Sequence, residues 1–139
     1  MKGRKPLPTA APKPGQMTPA RGRPARPPHV TGEAAAEWDR LAEELDLAGV
    51  LTTADRGALA MYCIAWARWV KATEQVAKLG EIVAAPKTKV PMPNPWLPVA
   101  NKAHEQMAKL GAEFGLTPSS RCRISTPEQT KDAPDFDLD

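Results

Sequence analysis

Residues 51–80 read LTTADRGALAMYCIAWARWVKATEQVAKLG, and this stretch predicts the helix around which the rest of the chain packs. Thr52 suits the N-cap position, and Asp55 follows three residues later, near the positive end of the helix. Gly80 suits the C-cap. A helix over residues 53–79 is about 40 Å long, so it forms the main axis of a chain of 139 residues.

Two neighbouring rows of apolar or small side chains run along this helix. One row contains Leu59, Cys63, Trp66, Val70, Thr73 and Ala77, and the other contains Ala58, Tyr62, Ala65, Trp69, Ala72 and Val76. Together the rows cover about half of the circumference, whereas one core contact usually needs a stripe of about 100°. Either a second subunit or the N-terminal helix alone covers the additional face, and the rarity of broad exposed apolar faces favours the subunit. The predicted oligomer interface contains Tyr62, Trp66, Trp69 and Val76.

The sequence on either side predicts two further helices. Apolar residues recur with helical spacing over residues 33–47 and over residues 95–114, where Asn94 serves as the cap and Pro95 begins the first turn. Residues 81–93 suit a short β-hairpin or a two-armed extended loop with a basic tip. The predicted fold class is all-α. The long helix and the last helix form an antiparallel hairpin, and the N-terminal helix packs across it.

Charge and composition divide the chain into three parts. Residues 1–31 contain eight prolines and seven lysines or arginines but no acid, which predicts a disordered basic arm. Residues 32–124 contain 11 basic and 11 acidic residues and form the predicted helical oligomerisation core. Residues 125–139 contain five acids and one lysine, which predicts an acidic disordered tail. Such asymmetry of sign indicates that the two tails meet different partners.

The sequence lacks the motifs that are typical of several classes of enzyme and of metal-binding or membrane proteins. Neither a P-loop, a dinucleotide-binding glycine motif nor a serine nucleophile elbow is present. The two cysteines and two histidines are scattered, so we expect no metal site, no cofactor and no disulfide framework. The longest apolar run, Ala58–Ala67, is about half of what a membrane span needs. These observations predict a non-enzymatic soluble protein of a reducing compartment that has not been secreted.

Residues 112–124, AEFGLTPSSRCRI, resemble the turn of a helix-turn-helix. The second helix of that motif must bury apolar side chains at regular positions, yet this stretch places Pro118 and Arg121 there. It is therefore a poor recognition helix. A better interpretation has Gly115 ending one helix, Thr117 as the next N-cap, and one or two turns that end with Arg121 and Arg123.

Three motifs in order carry a family resemblance: LTTADR at 51–56, YCIAWARW at 62–69 and EFGLTPSSR at 113–121. With the GRKP start at 3–6, they resemble the small terminase subunits of tailed double-stranded DNA phages or their prophages over about residues 1–124. The resemblance implies a DNA-packaging adaptor in the cytoplasm of a bacterial host. It also implies a homo-oligomeric ring, for which we expect a nonamer, that presents double-stranded phage DNA to the large terminase subunit.

The basic residues of the arm, the hairpin tip and the short final helix are the candidates for DNA contact. They are Arg4, Lys5, Lys13, Arg21, Arg23, Arg26, Lys87, Lys89, Arg121 and Arg123. We expect the arm to supply most of the affinity through phosphates, because the core is neutral. The tail alternates acids with apolar residues, and we expect it to dock on another packaging protein through Asp135, Phe136, Asp137 and Leu138.

Other interpretations of the same features remain open. The chain could be a helical protein-interaction scaffold with no nucleic-acid role, or an RNA-binding chaperone, although the tryptophans on helical stripes leave no base-stacking platform. The acids of the first helix either pair with a neighbouring subunit's Arg68, Lys71 or Arg121 or form a solvated surface.

Overall fold

The computed structural model describes residues 14–15 and 19–122. The helices are α1 (Gly32–Leu47), α2 (Arg56–Leu79), α3 (Trp96–Glu113) and α4 (Pro118–Arg121), with a 3-10 turn at Thr53–Asp55 before α2. Two short strands, β1 (Ile82–Ala84) and β2 (Pro91–Pro93), pair antiparallel between α2 and α3. The predicted helical fold class with a small hairpin between two helices is confirmed.

The start of α2 shows how local polar groups set the helix boundary. The Thr52 backbone N–H and hydroxyl both donate to the Asp55 carboxylate, at 2.8 and 2.9 Å. This reciprocal capping arrangement closes the 3-10 turn, so the α-helix begins at Arg56, three residues later than the sequence predicts.

Helices α2 and α3 lie antiparallel, as expected. Tyr62, near the start of α2, lies beside Gly111 near the end of α3, where an added Cβ would sit 3.6 Å from the tyrosine ring. At the other end, the Lys71 ammonium lies 5.6 Å from the ring centre of Trp96. Helix α1 packs on α2 and contributes Trp38, Leu41 and Leu45 to the buried core. The same core contains Leu59 and Cys63 from α2 and Phe114 from the end of α3.

A buried asparagine joins the two long helices to the hairpin. Asn94 is fully buried, and its side-chain amide donates to the Gly80 carbonyl at 2.8 Å, at the end of α2. Its side-chain oxygen accepts from the Trp96 N–H at 3.0 Å, at the start of α3. Its backbone N–H donates to the Glu81 carbonyl at 2.7 Å. One residue therefore caps α3, as predicted, and also fixes the end of α2.

The last residues of the predicted arm, immediately before α1, pack against the helical core. Pro24 and Pro27 are buried, and Val30 is 1% exposed and belongs to the main core. The remainder of the predicted arm, except residues 14–15, lies outside the described residues, as does the acidic tail. Proline and arginine content suggested disorder, but these prolines supply apolar surface that packs against the helices.

Candidate nucleic-acid interface

Residues 19–31, which we call the arginine segment, are fixed to the loop that precedes α2. The Thr53 N–H donates to the Ala20 carbonyl at 2.9 Å, and the Gly22 N–H donates to the Leu51 carbonyl at 3.2 Å. Arg21 and Thr52 form an isolated antiparallel bridge between these bonds. Gly22 has a φ of 133°, a conformation that glycine adopts without strain. The backbone around the first arginines is thus held in one place.

A second attachment lies further along the segment. The Arg56 side chain, from the first turn of α2, donates through Nε to the Ala25 carbonyl at 3.0 Å. Arg26 donates to the Val30 carbonyl at 3.4 Å. Each bond uses only part of a guanidinium, which has five N–H donors, so both side chains keep donors for another acceptor.

The arginine segment forms a concentration of positive charge with little compensation. Arg21, Arg23, Arg26 and Arg56 are all exposed. Residues 19–31 contain no acid, and Asp55, the acid next to Arg56, already accepts two hydrogen bonds from Thr52. Guanidinium groups match the geometry of phosphate oxygens and stay charged at every physiological pH. This surface is suited to bind a polyanion.

The other predicted DNA-contact residues lie elsewhere. Lys87 and Lys89 are exposed at the hairpin turn, beyond the far end of α2, which is about 36 Å long. Arg121 is exposed on α4, where its Nε donates to the Gly115 carbonyl at 3.2 Å. The structure therefore does not bring the hairpin lysines to the arginine segment. Outside the described residues lie Arg4, Lys5, Lys13 and Arg123.

The short helix α4 has the local structure that the sequence predicts. The Ser120 N–H donates to the Thr117 hydroxyl at 3.3 Å, and Pro118 occupies the first turn. Within the described residues α4 is a single turn, Pro118–Arg121, and Ser120 is buried. Helices that read a DNA groove use side chains spread over about two turns, so α4 as described is too short for that role.

The four predicted interface residues have different environments. Tyr62 is buried within its own chain, between the core and Gly111, so its side chain has little surface for a second subunit. Trp66, Trp69 and Val76 are half-buried. The Trp66 indole N–H donates to Glu33 at 3.2 Å, and the Trp66 and Trp69 ring centres lie 5.5 Å apart. Three of the four residues thus keep surface that another molecule can contact.

Sequence reasoning missed a buried carboxylate on α1. The sequence places Glu37 on a solvated acidic face, but its side chain is 5% exposed and pairs with Arg40 at 2.6 Å. Arg40 also contacts Glu44 at 3.0 Å, and the hydrogen bonds that Arg40 donates to Glu37 raise the pKa of this arginine. Burial, and then the Glu37 charge, raise the pKa of Tyr62 and of Cys63. The helical spacing of Glu37, Arg40 and Glu44 was the available sequence signal.

Residues 14–15 and 19–122 contain no cluster of three histidine, cysteine or acidic side chains that could hold a metal ion. None of the helices in this part of the chain combines the length and the apolar character that a membrane crossing requires.

Comparison with known families gives a match. A family model described as phage terminase, small subunit, matches residues 34–131, which is more than two thirds of the chain. Comparisons with curated proteins and with solved structures give no significant match. The matched range begins two residues inside α1, continues past α4 and excludes the arginine segment.

Proposed function

We propose that this chain, which belongs to the family of phage terminase small subunits, is the non-catalytic DNA-recognition component of a packaging complex. In this role it binds the double-stranded DNA of the phage at the packaging site. It presents that DNA to the large terminase subunit, which carries the ATPase and nuclease. The cytoplasm of the bacterial host is where such packaging takes place. The observation that carries the proposal is the anchored arginine segment.

The arginine segment supports a particular mode of DNA binding. Its exposed guanidinium groups lie on a fixed backbone, so they lose less conformational freedom on binding than the same groups on a free arm. Contacts to phosphates position a protein on the duplex but carry little sequence information. Site selection then comes from DNA shape, from contacts by Lys87, Lys89, Arg121 or Arg123, or from the large subunit.

A ring of copies strengthens this mode of binding. Each copy contributes one arginine segment and one more distal arm with Arg4, Lys5 and Lys13. Once one copy is bound, the next contacts form at a high effective concentration, so individually weak contacts add up. A nonamer is the assembly that the family resemblance suggests. The half-buried Trp66, Trp69 and Val76 on α2 support a subunit interface there.

The acidic tail completes the proposed adaptor. Residues Asp135, Phe136, Asp137 and Leu138 alternate charge with apolar surface, a pattern suited to a segment that orders on binding. In the proposed function this segment docks on the large terminase subunit. Truncation after Ile124 is expected to retain assembly and DNA binding but to weaken stimulation of the large subunit's ATPase.

Duplex binding over a salt series tests the DNA role. The test variant is Arg21→Gln/Arg23→Gln/Arg26→Gln, whose side chains are exposed. The matched control, Lys78→Gln/Lys102→Gln/Lys109→Gln, removes the same charge from exposed positions on α2 and α3. Each phosphate contact contributes roughly 0.9 to the slope of log affinity against log salt. We therefore expect the test variant to lower the slope by up to about 3 per bound chain, and the control to change it little.

A deletion separates the contribution of residues 1–18 from that of the arginine segment. Removing residues 1–18 leaves the anchored segment intact, whereas a deletion through residue 28 also removes the buried Pro24 and Pro27. The residual affinity of the shorter deletion measures what the arginine segment contributes alone. Equal affinity and slope for the arginine variant and wild type would contradict the proposal. If the arginine variant also still binds the large subunit, the result would favour the alternative function, a helical protein-interaction scaffold with no nucleic-acid role.

A further inference from the structure

The two outer edges of the hairpin are chemically different. The register pairs Ile82 with Pro93 and Ala84 with Pro91. The flanking bonds, from the Ala85 N–H to Val90 at 2.9 Å and from the Asn94 N–H to Glu81 at 2.7 Å, identify the hydrogen-bonded pairs. Hydrogen-bonded and non-hydrogen-bonded pairs alternate in an antiparallel ladder. The backbone groups of Ile82, Ala84, Pro91 and Pro93 therefore point outward.

Only one of these edges can accept another strand. Pro91 and Pro93 have no N–H, so the outer edge of β2 offers carbonyl acceptors without donors. The outer edge of β1 offers both the N–H and the carbonyl groups of Ile82 and Ala84. Among the turn and loop bonds of the described residues, none uses these groups. An open edge of this kind is a template for pairing with an extended segment.

The surroundings of the β1 edge define the chemistry of its partner. Ile82 is 62% exposed and Val90 is 58% exposed, so apolar surface lies beside the edge. Lys87 and Lys89 are exposed at the adjoining turn, and residues 82–93 contain no acid. A complementary partner is an extended segment in which acidic residues alternate with apolar residues, because alternate side chains of a strand face opposite sides.

We propose that the chain's own C-terminal segment, residues 135–139, docks as a third strand on the outer edge of β1. This segment reads DFDLD: it alternates acidic and apolar residues and contains no proline that would interrupt pairing. Phe136 and Leu138 then cover the apolar surface around Ile82, and the aspartates lie near Lys87 and Lys89. The same segment is available to the large terminase subunit when it leaves the edge.

The length of the intervening chain permits this contact. Thirteen positions separate Cys122 from Asp135, and an extended chain of that length spans at most about 43–47 Å. Helix α3, which separates α4 from the hairpin, has 18 residues and is about 27 Å long. Pairing of β1 with β1 of a second copy is the competing arrangement. That arrangement leaves the lysines uncompensated, and a symmetric contact closes as a dimer without extending a ring.

Docking of the tail has a consequence for DNA binding, and this consequence rests on the proposed function. Aspartates beside Lys87 and Lys89 occupy the charge that these lysines otherwise offer to phosphates. The tail and the duplex therefore compete for the hairpin tip. The duplex gains access when the large subunit takes the tail, which couples recruitment of the partner to a tighter hold on DNA.

Amide hydrogen exchange at single-residue resolution on the full chain tests the docking directly. In the wild type we expect slow exchange at Ile82 and Ala84. In Phe136→Ser/Leu138→Ser we expect exchange at these two amides to be at least tenfold faster, with Ala85, which donates to Val90, unchanged. Pro127→Ser/Ala133→Ser, which changes the tail outside the alternating segment, is the matched control and should behave as wild type.

Two results would overturn the docking. Unprotected Ile82 and Ala84 amides in the wild type would show that nothing pairs with the edge. Protection that rises with protein concentration would assign the edge to another copy. For the competition, Asp135→Asn/Asp137→Asn/Asp139→Asn should tighten duplex binding several-fold at low salt, but not in a chain that also carries Lys87→Gln/Lys89→Gln. If no variant binds duplex, the proposed function fails while the exchange result still decides the docking.

Discussion

The two halves of α2 have similar apolar patterns but very different surroundings. In residues 56–65, the side chains of Leu59, Tyr62, Cys63 and Ala65 are buried. In residues 66–79, Ala72 is the buried residue, and Leu79 is 56% exposed. The first half is covered by α1 and α3, whereas the second half extends beyond α1 toward the hairpin. Periodicity therefore identifies an apolar face, but the length of the neighbouring helices decides how much of it the chain covers.

The largest expected difference between the halves is in the effect of deleting a leucine side chain. Leu59→Ala removes a fully buried side chain and should lower the free energy of unfolding by about 2–5 kcal/mol. Leu79→Ala, at an exposed position, should change it by less than about 0.5 kcal/mol. Denaturant unfolding of both variants at the same protein concentration provides the measurement. Similar losses would indicate that another molecule buries the second half as completely as α1 buries the first.

Alkaline pH is expected to destabilise the first half. Burial, assisted by the Glu37 charge, raises the pKa of the Cys63 thiol from 9.0 to about 12. The unfolded chain therefore loses this proton at lower pH than the folded chain. Stability that is fully present below about pH 9 is lost as the pH rises toward 12, and each pKa unit corresponds to about 1.4 kcal/mol.

Tyr62, whose pKa is also raised by burial, contributes in the same direction. Unfolding curves of wild type and Cys63→Ala between pH 8 and about pH 11 isolate the thiol's share. The variant should show a shallower loss of stability over this range. An equally steep loss in both chains would assign the effect to other groups, Tyr62 among them.

A charged substitution tests whether assembly buries the second half. Trp69→Glu is expected to lower the mass of the native assembly, because a carboxylate at a subunit interface loses its hydration without gaining a partner. The variant should keep most of the helix content, since Trp69 is only half-buried in the single chain. Light scattering gives the mass and circular dichroism gives the helix content. An unchanged mass would remove this face from the proposed interface.

The smallest expected effect concerns the attachment of the arginine segment to the first turn of α2. Arg56→Gln removes the bond to Ala25 and should lower the free energy of unfolding by about 0.5–1.5 kcal/mol. Loss of this bond should also loosen the arginine segment and accelerate its cleavage by trypsin. Cleavage is expected after Arg21, because Arg23 and Arg26 are each followed by a proline that blocks the enzyme. Arg68→Gln is the matched control on α2. Equal cleavage rates would show that the Thr53 and Leu51 bonds hold the segment without Arg56.

Sequence patterns were sufficient for the elements whose signals are local. The N-cap at Thr52, the cap at Asn94 and the Thr117–Pro118 start of α4 all depend on groups a few residues apart, and all three occur in the structure. The family resemblance, carried by motifs along α2 and α4, agrees with the family match over residues 34–131.

The features that the sequence did not predict depend on distant contacts. The arginine segment is fixed by residues about 30 positions later, and its composition alone suggested disorder. Glu37 lies among other acids in sequence, but the ion pair with Arg40 and the position of α1 on the core bury it. Tyr62 belongs to the predicted oligomer interface, but in the structure Gly111 of α3 lies against its ring.

The attachment of the arginine segment also has a consequence for the order of events during synthesis. The segment leaves the ribosome before Leu51, Thr53 and Arg56, the residues to which it bonds. Its anchoring closes a loop of about 30 residues that contains α1, so it can form only after α1 and the start of α2 have been made. Until then the backbone that carries its arginines is not anchored. The nascent chain is therefore made beside ribosomal RNA, which is a polyanion, before the surface proposed to bind phage DNA has formed.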